Sequence, residues 1–346
     1  MNNPVGREPR CDQRSGCDHG LVVSLYLDQA KWIDLARTMH GRPGGEAFRD
    51  AFDIARHSAQ MGLVGFPLSA AHYIETWRAG SRERRTRLAQ TMIELSRART
   101  IARPPDLCDN ELDAFLTRAF VGVPMQQPWP VFGWSYGHVA HLTSELTKEA
   151  VDLEVEIRQL AERPAGFDSY GRGHRDFGDV YRAGEQQLAD GNRGRSEPAE
   201  TREAILAASA IMEIYENIEW ALDRAGLPRE ALGPIGHVRP DLPQDSVQEV
   251  LNELLPIAQG FIGELPTRDA ALRLRSMRHQ NPETKWESND LNDIAYLACA
   301  VVHCDVIVTE KQWVHELRRS GLLEKHSTEA LDDVRGLPEV LITVVR

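Results

Sequence analysis

A short apolar run that stops at an aspartate, residues 21–27 followed by Asp28, constrains the fold of this chain more than any other feature. The run, LVVSLYL, is rich in β-branched and aromatic residues and reads as a parallel strand buried on both faces. From Ala30 onward the period changes, and Trp32, Ile33, Leu35, Ala36 and Met39 fall at helical spacing. Asp28 therefore stands where a strand hands over to a helix, at the strand's C-terminal end. In open α/β sheets that edge is where ligands bind.

The same alternation recurs nearby and again at the far end. Residues 46–61 read as a helix broken by Gly62, and residues 63–68 (LVGFPL) as a second short strand. Ser69 is placed to cap a helix running through His72, Tyr73, Glu75, Thr76 and Trp77. Near the other terminus, residues 289–302 (NDLNDIAYLACAVV) read as an apolar-faced helix, and residues 306–308 as a buried strand followed by Thr309 and Glu310. A helix over residues 313–322 and a final strand over residues 340–345 (VLITVV) complete the expectation. Alternating strands and helices predict a parallel sheet with right-handed crossovers.

Between these ends strand signals are few. An Arg-rich helical stretch (82–103) is followed by Pro104, Pro105 and the interrupted segment 124–134. An amphipathic helix over 142–160, a Gly-, Arg- and Asp-rich loop over 166–197, and helices over 204–225 and 247–261 are expected next. The organisation expected is a flexible tail (1–19), the first half of an α/β domain (20–80), a mostly α-helical insertion (81–284), and the second half of the α/β domain (285–346).

The 346 residues are 42% hydrophobic and 27% charged, ordinary for a globular protein with a sizeable core. No run of about 18 apolar residues is present, so no membrane span is expected. The polar N-terminus lacks the apolar segment of a signal peptide, and cytoplasmic residence is the expectation. Cys108, Cys299 and Cys304 read as small buried hydrophobes, while Cys11, Cys17 and His19 match no standard zinc spacing and read as part of a mobile tail. A net charge of −12 argues against nucleic-acid binding by bulk electrostatics, though not against an enzyme with a local basic patch.

The acids at the two ends are the chemical signal. Asp28, Glu75, Asp290, Asp293 and Glu310 each follow or face an expected strand end, where a parallel sheet brings side chains into one crevice. Hard divalent cations take oxygen ligands, so converging carboxylates suit Mg²⁺ or Mn²⁺, and two such ions can drive phosphodiester hydrolysis. Each acid alone has a plainer reading. Asp28 fits a helix dipole, Glu75 a solvated helix face, and Asp290 a cap; Asp290 and Asp293 share one helical face.

The segments SLYLDQAKWIDL, PLSAAHYIETW and NDLNDIAYLACAVVHCDVIVTEKQW together resemble the PIN and PIN-like nuclease superfamily, over about residues 20–80 and 285–346. Asp28, Glu75, Asp293 and Thr309 match the family's pattern, and Asp290 is an additional acid one turn earlier. Glu310 follows Thr309 directly while Lys311 takes the usual acid position, so the fourth ligand stays open among Asp290, Asp305 and Glu310. The resemblance implies an α/β/α sandwich with a central parallel sheet, interrupted here by the insertion. It also implies a Mg²⁺- or Mn²⁺-dependent endoribonuclease with Asp28, Glu75 and Asp293 as its catalytic core, RNA ahead of DNA as substrate, and a possible homo-oligomer. A catalytically degraded binding or regulatory module and a small-phosphoester metallohydrolase are the alternatives.

Several cations stand close in sequence to these acids. Lys31, Arg78, Arg82, Arg85 and Lys311 are the candidate substrate-binding residues, the three arginines within an Arg-rich stretch that also includes Arg84, Arg87, Arg97, Arg99 and Arg103. Solvated surface pairing is the competing reading for them. His72, one turn before Glu75, reads first as a hydrogen-bonded structural histidine. Trp129, Phe132, Trp134 and Tyr136 read first as a cluster packing a loop onto the core, and second as a base-stacking surface.

Overall fold

The structure, a computed structural model, describes residues 23–120, 123, 127–164, 183, 185–186, 190, 222–223, 226–228, 230, 260–280, 285–287 and 289–344. In chain order the elements are β1 (Val23–Leu27), α1 (Gln29–Met39), α2 (Arg49–Gln60), β2 (Val64–Gly65), α3 (Ala70–Arg78), α4 (Arg82–Ser96), β3 (Arg99–Ile101) and α5 (Pro104–Ala119). Then come β4 (Phe132–Trp134), α6 (Ser135–Val139), α7 (Leu153–Ala161), α8 (Pro266–His279) and α9 (Asp290–His303). The chain closes with β5 (Val306–Val308), α10 (Lys311–Arg319), α11 (Leu322–His326), β6 (Glu329–Leu331) and α12 (Leu337–Val344).

The two sequence ends meet in one parallel sheet of order β2-β1-β5-β6. Leu25 pairs with Val306 and Leu27 with Val308, so the N-terminal and C-terminal strands are neighbours at the centre. Side chains alternate across the sheet, as strand geometry requires. Leu25, Leu27, Val306 and Val308 join one core with Trp32, Leu35, Phe52, Met92 and Ile93 of α1, α2 and α4. Tyr26, Ile307 and Ala330 join the other with Ile294, Leu297, Val301, Trp313 and Leu317 of α9 and α10. Helices cover both faces, which is why every residue of β1 is buried and its sequence reads as an unbroken apolar run.

Several expectations are corrected. The described part of the expected strand, residues 340–344, is helical: it belongs to α12, whose buried Leu337, Val340 and Leu341 fall at helical spacing and pack against α2. A run of β-branched residues cannot by itself separate a buried strand from a short buried helix. The fourth strand is instead Glu329–Leu331, three residues of unremarkable composition. Residues 142–160 are not one helix either. Asp152 Oδ1 accepts the amides of Glu154 (2.9 Å) and Val155 (3.2 Å), starting α7 only at Leu153.

The core also does not break at residue 80. Leu88, Met92, Ile93 and Leu95 of α4 lie in the same cluster as Leu25 and Trp32. Arg97 and Ala98 adopt left-handed φ values of 53° and 62° and turn the chain into β3. This strand, unforeseen in the sequence, pairs antiparallel with β4 and forms a parallel bridge from Thr100 to Leu68. Most of residues 166–197, 204–225 and 247–261 lie outside the described residues, as do the 1–19 tail and its Cys11, Cys17 and His19. Within 166–197 the described Ala183, Glu185, Gln186 and Asp190 are helical rather than loop. Among the described residues Cys299 and Cys304 are buried cysteines outside any disulfide, Cys108 is partly exposed, and no helix is long and apolar enough to cross a membrane.

Candidate active site

Asp28 stands at the C-terminal edge of the sheet, as the sequence predicts. Its amide donates to the Val308 carbonyl at 2.9 Å, continuing the β1–β5 pairing one residue beyond the strands. The side chain then caps α1, with Oδ1 accepting the Gln29 amide at 2.6 Å. Its other oxygen, Oδ2, accepts the hydroxyl of the fully buried Thr309 at 2.9 Å. Neutral donors thus fix the carboxylate from both ends of the chain.

Glu75 is positioned by the histidine one turn before it. His72 Nε2 meets the Leu27 carbonyl at 2.9 Å, and Nδ1 accepts the Ser69 amide at 2.9 Å. A carbonyl only accepts and an amide only donates, so the proton sits on Nε2 and the ring is neutral. Burial agrees, holding the imidazole down at about 4. The ring ties the start of α3 to the end of β1 and sets Glu75 over the same edge as Asp28. His72 is a structural link between these two acids.

The first turn of α9 supplies two aspartates with different roles. Asp293 lines a small cleft with Asp28, Glu75, His72, Tyr26, Ala71, Tyr296 and Leu297. Asp290 is not among these lining residues. It is 3% exposed, and its Oδ2 accepts Arg278 Nε (3.1 Å), Arg278 Nη2 (2.7 Å) and the Glu287 amide (2.8 Å). The expectation of Asp290 as a metal ligand is corrected on this ground: its charge is satisfied by a buried guanidinium. Glu310, by contrast, is exposed at the start of α10, close enough for its charge to act on Glu75 and Asp293.

The acids of the cleft are only partly compensated by nearby cations. Burial, then Asp28, Glu75, Asp290 and Glu310, push the Asp293 carboxyl up to about 8. Burial and the Asp28 charge push Glu75 up to about 7, against a partial pull from Arg78. Asp28 is raised by burial as well, opposed by the Thr309 and Gln29 bonds and the Lys31 charge. Repelling carboxylates that hold protons near neutrality are a donor set suited to a hard cation, which would relieve them. Even so, among the described residues no group of three or more His, Cys, Asp or Glu side chains is arranged to hold a metal ion.

The candidate cations separate into engaged and available groups. Arg82 pairs with Glu162 at 2.7 Å, and Arg85 donates to the carbonyls of Ala79, Gly80 and Ala161, so both brace the ends of α3 and α7. Arg87 pairs with Glu83, and Arg99 lies over the Phe132 ring. Lys31 Nζ donates to the Asp332 carbonyl at 2.6 Å, at the rim. Arg78 and Lys311 are exposed. The aromatics pack internally: Tyr136 on Tyr73 and Trp77, and Trp129 on His138 and His141. Sequence reasoning passed over Tyr296 in the cleft wall and Asp106, whose only signal was an Arg-Pro-Pro-Asp helix start.

No protein-family model, curated protein or solved structure matches this chain.

Proposed function

We propose that the chain is a metal-dependent nuclease of the PIN-like type, an endoribonuclease hydrolysing phosphodiester bonds at the Asp28–Glu75–Asp293 cleft. One observation carries this reading. Three acids from opposite ends of the sequence line one cleft at the C-terminal edge of a parallel sheet, with Glu75 and Asp293 pushed up to about 7 and 8. Clustered acids whose carboxyls are raised by burial and by one another in a cleft are a mark of functional sites.

Asp28, Glu75 and Asp293 would hold Mg²⁺ or Mn²⁺, with Glu310 at the mouth. A bound ion supplies Lewis-acid polarisation of a phosphoryl oxygen and an activated water. Thr309 and the Gln29 amide orient Asp28 and favour its charged form against burial, and His72 holds Glu75 in register with it. Glu75 and Asp293 give up protons as the cation enters, so binding tightens as pH rises through 7 and 8. Arg78 and Lys311 are free to meet the substrate backbone. Single-stranded RNA with Mn²⁺ is the direct assay, and undiminished cleavage by Asp28→Asn combined with Asp293→Asn would sink the proposal.

The absence of a ready-made cage among the described residues and Lys311 at the family's usual acid position favour a second reading, a regulatory module on the same scaffold. Calorimetry with Mn²⁺ separates the two. Heat that disappears in Asp293→Asn supports the nuclease; no carboxylate-dependent heat supports the module.

A further inference from the structure

We propose that Arg103 and His141, both anchored on the buried carboxylate of Asp106, form a phosphodiester-binding subsite beside the carboxylate cleft. The inference rests on the nuclease reading and names the group that holds the substrate next to the bond cut. Arg103 follows β3, which the Leu68–Thr100 bridge aligns in parallel with the segment leading into α3. It therefore emerges at the same end of the fold as Asp28 and the N-terminus of α3. α5, which starts there, packs against α9 through Leu107, in the same cluster as Ile294 and Leu297.

The guanidinium is held ready. Asp106, its side chain 5% exposed, accepts Nε at 2.9 Å and Nη2 at 2.8 Å, leaving Nη1 without a hydrogen-bond partner among the described residues on a side chain 36% exposed. The same carboxylate meets His141 Nδ1 at 2.9 Å, and the His141 side chain is 47% exposed with Nε2 unengaged among the described residues. The imidazole stacks on Trp129 at 4.0 Å between centroids. Trp129 is in turn pinned by Asn110 through 2.8 Å and 2.6 Å bonds to its backbone. His141 keeps a left-handed φ of 56°, which costs a side chain energy and persists only where surroundings enforce it.

The ligand class follows from the open donor edge: a guanidinium fixed on Asp106 presents Nη1 to an unesterified phosphodiester oxygen. Tyr296 links the two places: it lines the carboxylate cleft and responds electrostatically to both Arg103 and Glu75. Of eight arginines between residues 78 and 103, Arg103 combines a fixed fork with an open edge, whereas Arg82, Arg85, Arg87 and Arg99 are spent on structure.

Fluorescence anisotropy of a short labelled single-stranded RNA with the full chain in EDTA tests the subsite without any metal. Arg103→Gln should weaken binding about tenfold or more and flatten the salt dependence by about 0.7 per lost phosphate contact. Arg103→Lys should recover only part of this, because the fork is lost. His141→Gln, at an exposed position, serves if Arg103→Gln does not fold. Arg56→Gln, which removes one charge from a pair with Glu94, should change binding less than about twofold. Binding equal to wild type in both Arg103→Gln and His141→Gln, or a loss matched by Arg56→Gln, overturns the subsite, as does wild-type protein that binds no RNA. Subsite-dependent binding without Mn²⁺-dependent cleavage would instead leave the subsite standing and remove the nuclease reading.

Discussion

Asp290 and Asp293 stand one turn apart at the start of α9, and the protein treats their charges in opposite ways. On the side facing α8, Asp290 is clamped by the equally buried Arg278, which also donates to the Lys285 carbonyl and lies over Trp286. On the cleft side, burial and the charges of the neighbouring acids push Asp293 up to about 8. A buried charge with a fitted partner is a structural element. One surrounded by like charge costs stability, and is retained because something else neutralises it in use.

The largest effect expected from this contrast is on activity. Asp293→Asn should lower Mn²⁺-dependent RNA cleavage about a thousandfold or more, roughly 4 kcal/mol of transition-state stabilisation. Asp290→Asn should be far milder in kcat, because its carboxylate faces Arg278. Equal losses in the two variants, measured in single-turnover cleavage, would erase the distinction between the two sides of α9.

The next effect inverts the ranking. Arg278→Met leaves Asp290 buried without its partner and should cost about 3–5 kcal/mol in urea denaturation. Replacing both members, Arg278→Met with Asp290→Leu, should recover much of that loss, since the pair's Coulombic gain is largely offset by desolvation. A double variant no more stable than Arg278→Met would show that Arg278 acts through Lys285 and Trp286 instead.

Asp293→Asn should stabilise the metal-free protein, and only at high pH. The folded carboxyl at about 8 lies above its ordinary value of 3.8, so the folded state holds the proton more tightly. Its contribution to stability is full below about pH 4 and is lost as pH rises to 8. Glu75 acts in the same sense between 4.5 and about 7. The amide should therefore raise Tm by a few degrees at pH 8 and leave it near wild type at pH 4. Saturating Mn²⁺ should raise the wild-type Tm at pH 8 and leave the variant's unmoved.

How much of this was legible in the sequence depended on whether the signal was local. β1, the start of α1 and the position of Asp28 follow from one change of period and one acid. Ser69, His72 and Glu75 lie within a single helical segment, so their shared orientation could be anticipated. Asp290 was misread because the residue that neutralises it, Arg278, lies on another helix. Residues 340–344 were misread because VLITV suits a buried strand and a buried helix equally, and packing against α2 decides. The pairing of Asp106 with His141 spans 35 residues, and nothing in their spacing announces it.

The smallest effect concerns how Asp28 differs from its neighbours. Burial raises its carboxyl, but the Thr309 hydroxyl and Gln29 amide oppose that by stabilising the charged form. Neither donor carries a charge, so the oxygen atoms remain available to a cation. Thr309→Val keeps the shape and removes one donor, which should cost about 1–2 kcal/mol at pH 8. The loss should shrink toward pH 4, because protonated Asp28 needs the bond less. With Asp28 pushed further up, the acidic limb of the cleavage profile should move to higher pH, and Thr309→Ser should restore it. A pH profile unchanged in Thr309→Val would mean that Asp28 is set by burial and its position at the start of α1 alone, and that Thr309 only packs.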